Sequence, residues 1–270
     1  MLKTLISVAF GAIMLGQAAL ANYHGFSADD VADFEILPGW RTQSGTHMTA
    51  LRIVLKPGWK TYWRAPGDAG IPARFDWGRS KNVSSVRFYW PTPDVFTQNG
   101  LRTVGYKKEL VLPIELTPKK PGTPIKMRAD VELGVCQDIC IPVSVRVSAD
   151  IEGAGASDIR ISAAMSARPD TSREAGMRSI SCKVDPISDG LRLTASIDLP
   201  RVGPQEVAIF ELSNQSIWVS EANVQRNGRA LTATVEMVPP NSKPFSLDRS
   251  DVRITVIGTG RAVDIRGCKM

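Results

Sequence analysis

Two cysteines four positions apart, Cys136 and Cys140, stand in the stretch ELGVCQDICIPV (Glu132 to Val143) between runs that read as β-strand. Paired sulfurs have two uses here: a bridge that staples a fold, or a dithiol that a partner protein opens and closes. If Gly134 to Ile141 ran as one extended strand, four steps of about 3.3 Å would put the Cα atoms about 13 Å apart, well past the roughly 7 Å limit for a disulfide. For the pair to bond, the chain must turn at Gln137-Asp138-Ile139, which sets the cysteines side by side across a hairpin. Such a bridge adds little stability and tends to be strained and easily reduced, which suits a switch. The same position also serves a bridge that merely locks a hairpin.

What four cysteines mean depends on the compartment. Met1 to Ala21 carries Lys3, an apolar run from Leu5 through Leu15 and an Ala19-Leu20-Ala21 exit, the pattern of a secretory signal peptide, so the mature chain is expected to begin at Asn22. No cysteine follows the cut, so no lipid anchor is expected, and nothing later approaches the roughly 18 apolar residues of a membrane span. An exported, soluble protein follows, periplasmic if the source has two membranes. In an oxidising compartment Cys136, Cys140, Cys182 and Cys268 suggest two disulfides. Three pairings exist, and neighbour pairing is favoured by the division of the chain described next. A Cys182 to Cys268 bridge closes a loop of about 87 residues, worth roughly 4.6 kcal/mol on chain entropy against roughly 2 for the short loop. The long bridge therefore reads as a structural staple and the short one as the candidate switch.

Period-two alternation dominates the elements that must carry these cysteines. Leu51-Ile53-Leu55, Val83 with Val86-Phe88-Trp90, Leu110-Leu112-Ile114-Leu116, Met127 to Val135 and Val143-Val145-Val147 alternate, separated by turns such as Lys56-Pro57-Gly58 and Lys120-Pro121-Gly122. Short strands at this spacing predict an antiparallel sandwich over residues 22–151. Glu152-Gly153-Ala154-Gly155-Ala156 breaks the pattern, and Ser157 to Ala167 reads as a short helix ended by Arg168-Pro169, giving a linker over 152–174. Alternation then resumes, from Ile180-Cys182-Val184 to Val252-Ile254-Val256, with tight-hairpin signals at Asn227-Gly228 and Gly258-Thr259-Gly260. That predicts a second, smaller sandwich over 175–270, in an all-β chain of two β-sandwich domains.

Composition narrows the chemistry. The chain is 43% hydrophobic and 22% charged with a formal net charge of +6. Its basic residues are scattered, so a nucleic-acid partner is not expected. A copper-handling role for the CxxxC pair would suit paired thiolates and Cu(I), but the two histidines, His24 and His47, lie upstream and read as solvated or turn residues. Pro66-Gly67-Asp68-Ala69-Gly70 lacks the following Lys-Ser/Thr of a phosphate loop and reads as a turn. No metal, cofactor or hydrolase constellation is expected. A non-catalytic binding module remains the competing reading, in which Trp40, Trp59, Trp63, Trp77, Trp90 and Trp218 would line a groove; such residues more often fill sandwich cores.

Three stretches in order, PGWKTYWRAPGDAGIPARFDW (Pro57 to Trp77), GYKKELVLPIEL (Gly105 to Leu116) and LGVCQDICIPV (Leu133 to Val143), resemble the N-terminal periplasmic domain of the DsbD thiol:disulfide interchange family, and within it the ScsB-type branch. The resemblance covers most of Asn22 to Ala149, and the remainder looks like the second immunoglobulin-like domain found in that branch. It implies immunoglobulin-like sandwiches and a redox pair at Cys136 and Cys140. That pair would accept electrons from a membrane-embedded thiol reductase and pass them to periplasmic thioredoxin-fold proteins by thiol–disulfide exchange. The family's aromatic cap loop would fall near Phe96 to Arg102, counted back from Tyr106, with Phe96 its only aromatic. Asp138 should oppose thiolate formation, and Lys107 or Lys108, if close, should favour it.

Overall fold

The structure, a computed structural model, describes residues 27–67, 70–98 and 100–268; the expected signal segment and His24 lie outside the described residues. The first half of the chain holds α1 (Ala28–Val31), β1 (Ala32–Arg41), β2 (His47–Leu55), β3 (Lys60–Gly67), β4 (Arg74–Asp76), β5 (Ser85–Phe88), β6 (Asp94–Gln98), β7 (Leu101–Lys107), β8 (Glu109–Thr117), β9 (Ile125–Cys136) and β10 (Cys140–Ile151). The second half holds α2 (Ile159–Ser166), β11 (Asp170–Thr171), β12 (Ser179–Ile187), β13 (Gly190–Asp198), β14 (Val207–Glu211), β15 (Trp218–Val219), β16 (Asn223–Asn227), β17 (Ala230–Val238), β18 (Arg253–Ile257) and β19 (Ala262–Arg266).

The architecture is all-β. One sheet runs β1-β2-β8-β5, and a second runs β10-β9-β3-β7-β6 with β4 also paired to β9. Alternation along β2, β8 and β9 sends one set of side chains inward, so Leu51, Ile53, Leu112 and Ile114 meet Trp63, Met127, Val131 and Leu133 in one buried cluster. The second half repeats the device with sheets β11-β19-β18-β14 and β12-β13-β17-β15, β16 pairing with β17. Leu193, Ile197, Leu231 and Val235 there face Ile254, Val256 and Ile265. Asn227-Gly228 closes β16 onto β17 with Gly228 at φ +56°, as its tight-turn chemistry demands. One pairing departs from the antiparallel expectation: β11 lies parallel to β19, Asp170 opposite Val263.

The helix expected at Ser157 to Ala167 forms as α2, capped by the Asp158 carboxylate, which accepts the Arg160 N–H at 2.8 Å. It is docked rather than free. Ile161 is fully buried against Leu37, Met48 and Ala50, which project from the outer face of the first sheet. The two halves also touch: Ile257 and Ala262 join the first cluster, and the Arg64 fork donates to both Glu211 oxygens at 2.9 Å.

Candidate functional site

β9 and β10 form the hairpin that carries the cysteines. Their register pairs Cys136 with Cys140 at one end and Ile125 with Ile151 at the other, and the two sulfurs are bonded with Cα atoms 4.1 Å apart. The tip, Gln137-Asp138-Ile139, is exposed, and the Gln137 N–H donates to the Ile139 carbonyl at 3.2 Å.

Paired residues in an antiparallel ladder project from the same face. The register therefore draws a row across four strands: Cys140 opposite Cys136, Cys136 opposite Lys60, Lys60 opposite Lys107. Tyr62 and Gly134, two steps from Lys60 and Cys136, share that face, and so does Phe96, opposite Thr103. Trp63, Val104, Tyr106 and Val135 have the other parity and fill the core. The row thus lies on the outer face of its sheet. Burial splits the two residues nonetheless: Cys136 is 0% exposed, whereas Cys140, on edge strand β10, is an exposed residue. Beside it, the Ile139 side chain at the tip is 60% exposed.

Tyr62, only 2% exposed, sets its hydroxyl 2.9 Å from the Cys140 sulfur. A disulfide sulfur carries no proton, so the hydroxyl donates. Burial raises the Tyr62 pKa above its ordinary value, which keeps that proton in place. Glycines make room for the ring. A Cβ on Gly134 would stand 2.6 Å from Ile71 Cβ and 2.9 Å from the Tyr62 ring, and one on Gly70 would come within 2.9 Å of the ring's other edge. The Thr61 hydroxyl, donating to the Gly134 carbonyl at 2.9 Å inside the structure, ties β3 to β9 at this point.

Lys60 and Lys107 present their ammoniums to the Phe96 ring at 5.3 and 4.8 Å from its centroid, within cation–π range. Burial, then repulsion from Lys107, lowers the Lys60 pKa; Asp138 opposes both. Asp138 thus acts electrostatically on that lysine.

The structure brings together Cys136, Cys140, Asp138, Lys107 and Phe96 of the residues singled out from sequence. Phe96 sits in strand β6, in contact with the two lysines. Tyr106 is not part of the row: it is 7% exposed in the core, donates to the Pro91 carbonyl at 2.8 Å and stacks on Trp90. Lys108 lies outside the row as well, in the β7–β8 turn at φ +72°. Lys60 and Tyr62 were missed, although both stand in the quoted Pro57 to Trp77 stretch. Their two-residue spacing marks a shared face once that stretch is a strand beside β9.

Cys182 and Cys268 are bonded to each other, 6% and 4% exposed, and join β12 to the residue two past β19. His47 corrects the solvated reading. It is 3% exposed at the start of β2 and donates from Nε2 to the Pro38 carbonyl at 2.7 Å, because strand pairing on both sides encloses it. Trp63 is fully buried and Trp40, Trp59, Trp77 and Trp90 pack against the clusters, while Trp218 is 54% exposed. Among the described residues no group of three or more His, Cys, Asp and Glu is placed to hold a metal ion, and no helix is long and apolar enough to cross a membrane.

Residues 28–151 match the protein family described as "Thiol:disulfide interchange protein DsbD, N-terminal". Among solved structures, the N-terminal periplasmic domain of ScsB from Proteus mirabilis superposes with a TM-score of 0.70 at 24% identity, over 91% of this chain and 96% of that one, which shows a shared fold. The reduced N-terminal domain of DsbD from Neisseria meningitidis aligns over 46% of this chain and 86% of its own, at 20% identity and a TM-score of 0.25. No curated protein matches in sequence.

Proposed function

Because residues 28–151 belong to the DsbD N-terminal family of thiol:disulfide interchange proteins, we propose that this chain relays electron pairs through the Cys136–Cys140 dithiol/disulfide. It works in the periplasm, takes electrons from a membrane-embedded thiol reductase and reduces a protein of thioredoxin fold. Residues 22–151 form the redox domain and 175–270 a companion domain, both immunoglobulin-like sandwiches, the second stapled by Cys182–Cys268.

One observation carries the reading: the bonded pair joins an exposed residue, Cys140, to a fully buried one, Cys136, at the end of a hairpin. An incoming thiolate meets Cys140, the exposed residue, rather than the buried Cys136. It attacks the Cys140 sulfur, the Cys136–Cys140 bond breaks, and the electron pair leaves on Cys136. The donor's second thiolate then takes over the donor sulfur and releases Cys140. The donor ends as a disulfide and this chain as a dithiol.

Redox titration of the mature protein, with alkylation and mass mapping, tests the proposal. Cys136 and Cys140 should become labelled together at a mild potential, while Cys182 and Cys268 stay protected. Equal resistance of both pairs overturns the relay and leaves a binding module with two structural bridges.

A further inference from the structure

Resting on the relay reading above, we infer that the Tyr62 hydroxyl is a catalytic hydrogen-bond donor that stabilises Cys140 as the thiolate. Cys140 must carry that charge twice per cycle, first as the group released from the donor and then as the nucleophile toward the acceptor. In the second step its thiolate attacks an acceptor disulfide, and a Cys140–acceptor bond forms as the acceptor's own S–S bond breaks, its electron pair leaving on the second acceptor sulfur. Cys136 thiolate then attacks the Cys140 sulfur, restores the intramolecular disulfide and expels the acceptor's first sulfur. The acceptor has gained two electrons and takes two protons from solvent.

Three features fit Tyr62 to this task. Its hydroxyl is already 2.9 Å from the sulfur, so the hydrogen bond is in place before charge develops. Its ring is fixed between Gly134 and Gly70, with no side chain at either glycine to displace it. Its own ionisation is pushed upward by burial, so across the range where a cysteine near 8.5 titrates the tyrosine remains a donor. The register sets Lys60 opposite Cys136, on the strand that separates Cys136 from Lys107.

A hydrogen bond to a charged group is strong enough to move a thiol pKa by about 1–2 units. Each unit cuts the thiolate fraction about ten-fold and raises intrinsic nucleophilicity about three-fold, so the rate below the pKa falls about three- to four-fold per unit. The test is a pulse of iodoacetamide on the fully reduced protein across pH 5.5 to 10, read at Cys140 by mass mapping. Wild type, Tyr62→Phe and Tyr106→Phe are compared, the last losing a buried tyrosine hydroxyl that touches no sulfur. The Cys140 midpoint is expected below the roughly 8.5 of a free cysteine in wild type and in Tyr106→Phe, and about 1–2 units higher in Tyr62→Phe. An unmoved midpoint in Tyr62→Phe, or a wild-type midpoint at or above about 8.5, overturns the role of Tyr62 and leaves the relay standing. The wild-type arm decides even if the variant fails to fold. Preferential labelling of Cys136 instead removes Cys140 as the attacking sulfur, and the role of Tyr62 with it, while the relay is decided by the redox titration above.

Discussion

Gly134→Ala is the smallest substitution that tests whether the site is built as described. Gly134 has no positive φ, so alanine meets no backbone strain and should even gain about 0.4–1 kcal/mol by restricting the unfolded chain. Against this, the new Cβ would stand 2.6 Å from Ile71 Cβ and 2.9 Å from Cδ2 and Cε2 of Tyr62. Carbon atoms pack at about 3.5–4.0 Å, so its neighbours must give way by about 1 Å. Overpacking of that kind costs about 1–3 kcal/mol, which at its midpoint outweighs the entropic gain and leaves a net loss of about 1.3 kcal/mol. Urea unfolding of the oxidised protein measures it by linear extrapolation. Ile71→Gly removes the nearest of the three carbons, so the double variant should recover at least about 0.5 kcal/mol as coupling. A displaced ring also carries its hydroxyl away from Cys140, and the Cys140 labelling midpoint should rise toward that of Tyr62→Phe. A variant within about 0.3 kcal/mol of wild type, with an unchanged midpoint, would refute the seating of Tyr62 against Gly134.

Two further outcomes concern the frame around the site. Arg226 forks onto Glu206 at 2.6 and 2.8 Å with side chains 7% and 4% exposed, and also donates to the Leu199 and Arg229 carbonyls. Arg226→Met strands that carboxylate, so the second half should lose about 3–5 kcal/mol in denaturant titration, and a loss under about 1 contradicts the pairing. His47 is pushed below the ordinary histidine value of about 6.5 chiefly by burial, so between the folded and unfolded pKa values the unfolded chain binds more protons. Its contribution is complete above pH 6.5 and is lost as pH falls through the window below it; His47→Phe should flatten the stability profile from pH 7 toward 5, and an identical slope in both proteins removes the buried neutral imidazole.

Strands with strict alternation were legible because one buried face per sheet writes period two into the sequence: β8 reads from Leu110 to Leu116 and β17 from Leu231 to Val235. β1 and β3 hid for identifiable reasons. In β1, Pro38-Gly39 looks like a turn and is a bulge, with Gly39 at φ +68° and the register slipping between Leu37 and Trp40. In β3, both faces are covered, so Thr61, Tyr62 and Trp63 are consecutively buried and no alternation survives. The cysteine hairpin could be deduced because a disulfide has a maximum span. Lys60 and Tyr62 could not, because they reach the cysteines through the pairing of β3 with β9, more than 70 positions away, and only the Thr61 to Gly134 bond and its neighbours fix that register. Tyr106 misled for the complementary reason: one step of parity separates it from Lys107, and that step is the difference between core and outer face.

On the proposed relay, the same register would let the Cys136–Cys140 bond open without the fold following it. β9 and β10 are matched at twelve positions, Ile125 with Ile151 through Cys136 with Cys140, and the cysteines occupy only the last. Eleven pairs remain when the sulfurs separate, including Val131, Leu133, Val143 and Val147 in the buried cluster. The short loop contributes roughly 2 kcal/mol of chain entropy, a loss those contacts can absorb. Cys182 and Cys268 are separated by 86 positions, and among the described residues no ladder joins β12 to β19, so the bond adds roughly 4.6 kcal/mol of chain entropy to an end held otherwise by core packing and Arg249. On the proposed relay, a carrier that cycles needs its working bond where strand pairing already holds the geometry and its staple where no ladder joins the two strands, and the two bridges fall on opposite sides of that line.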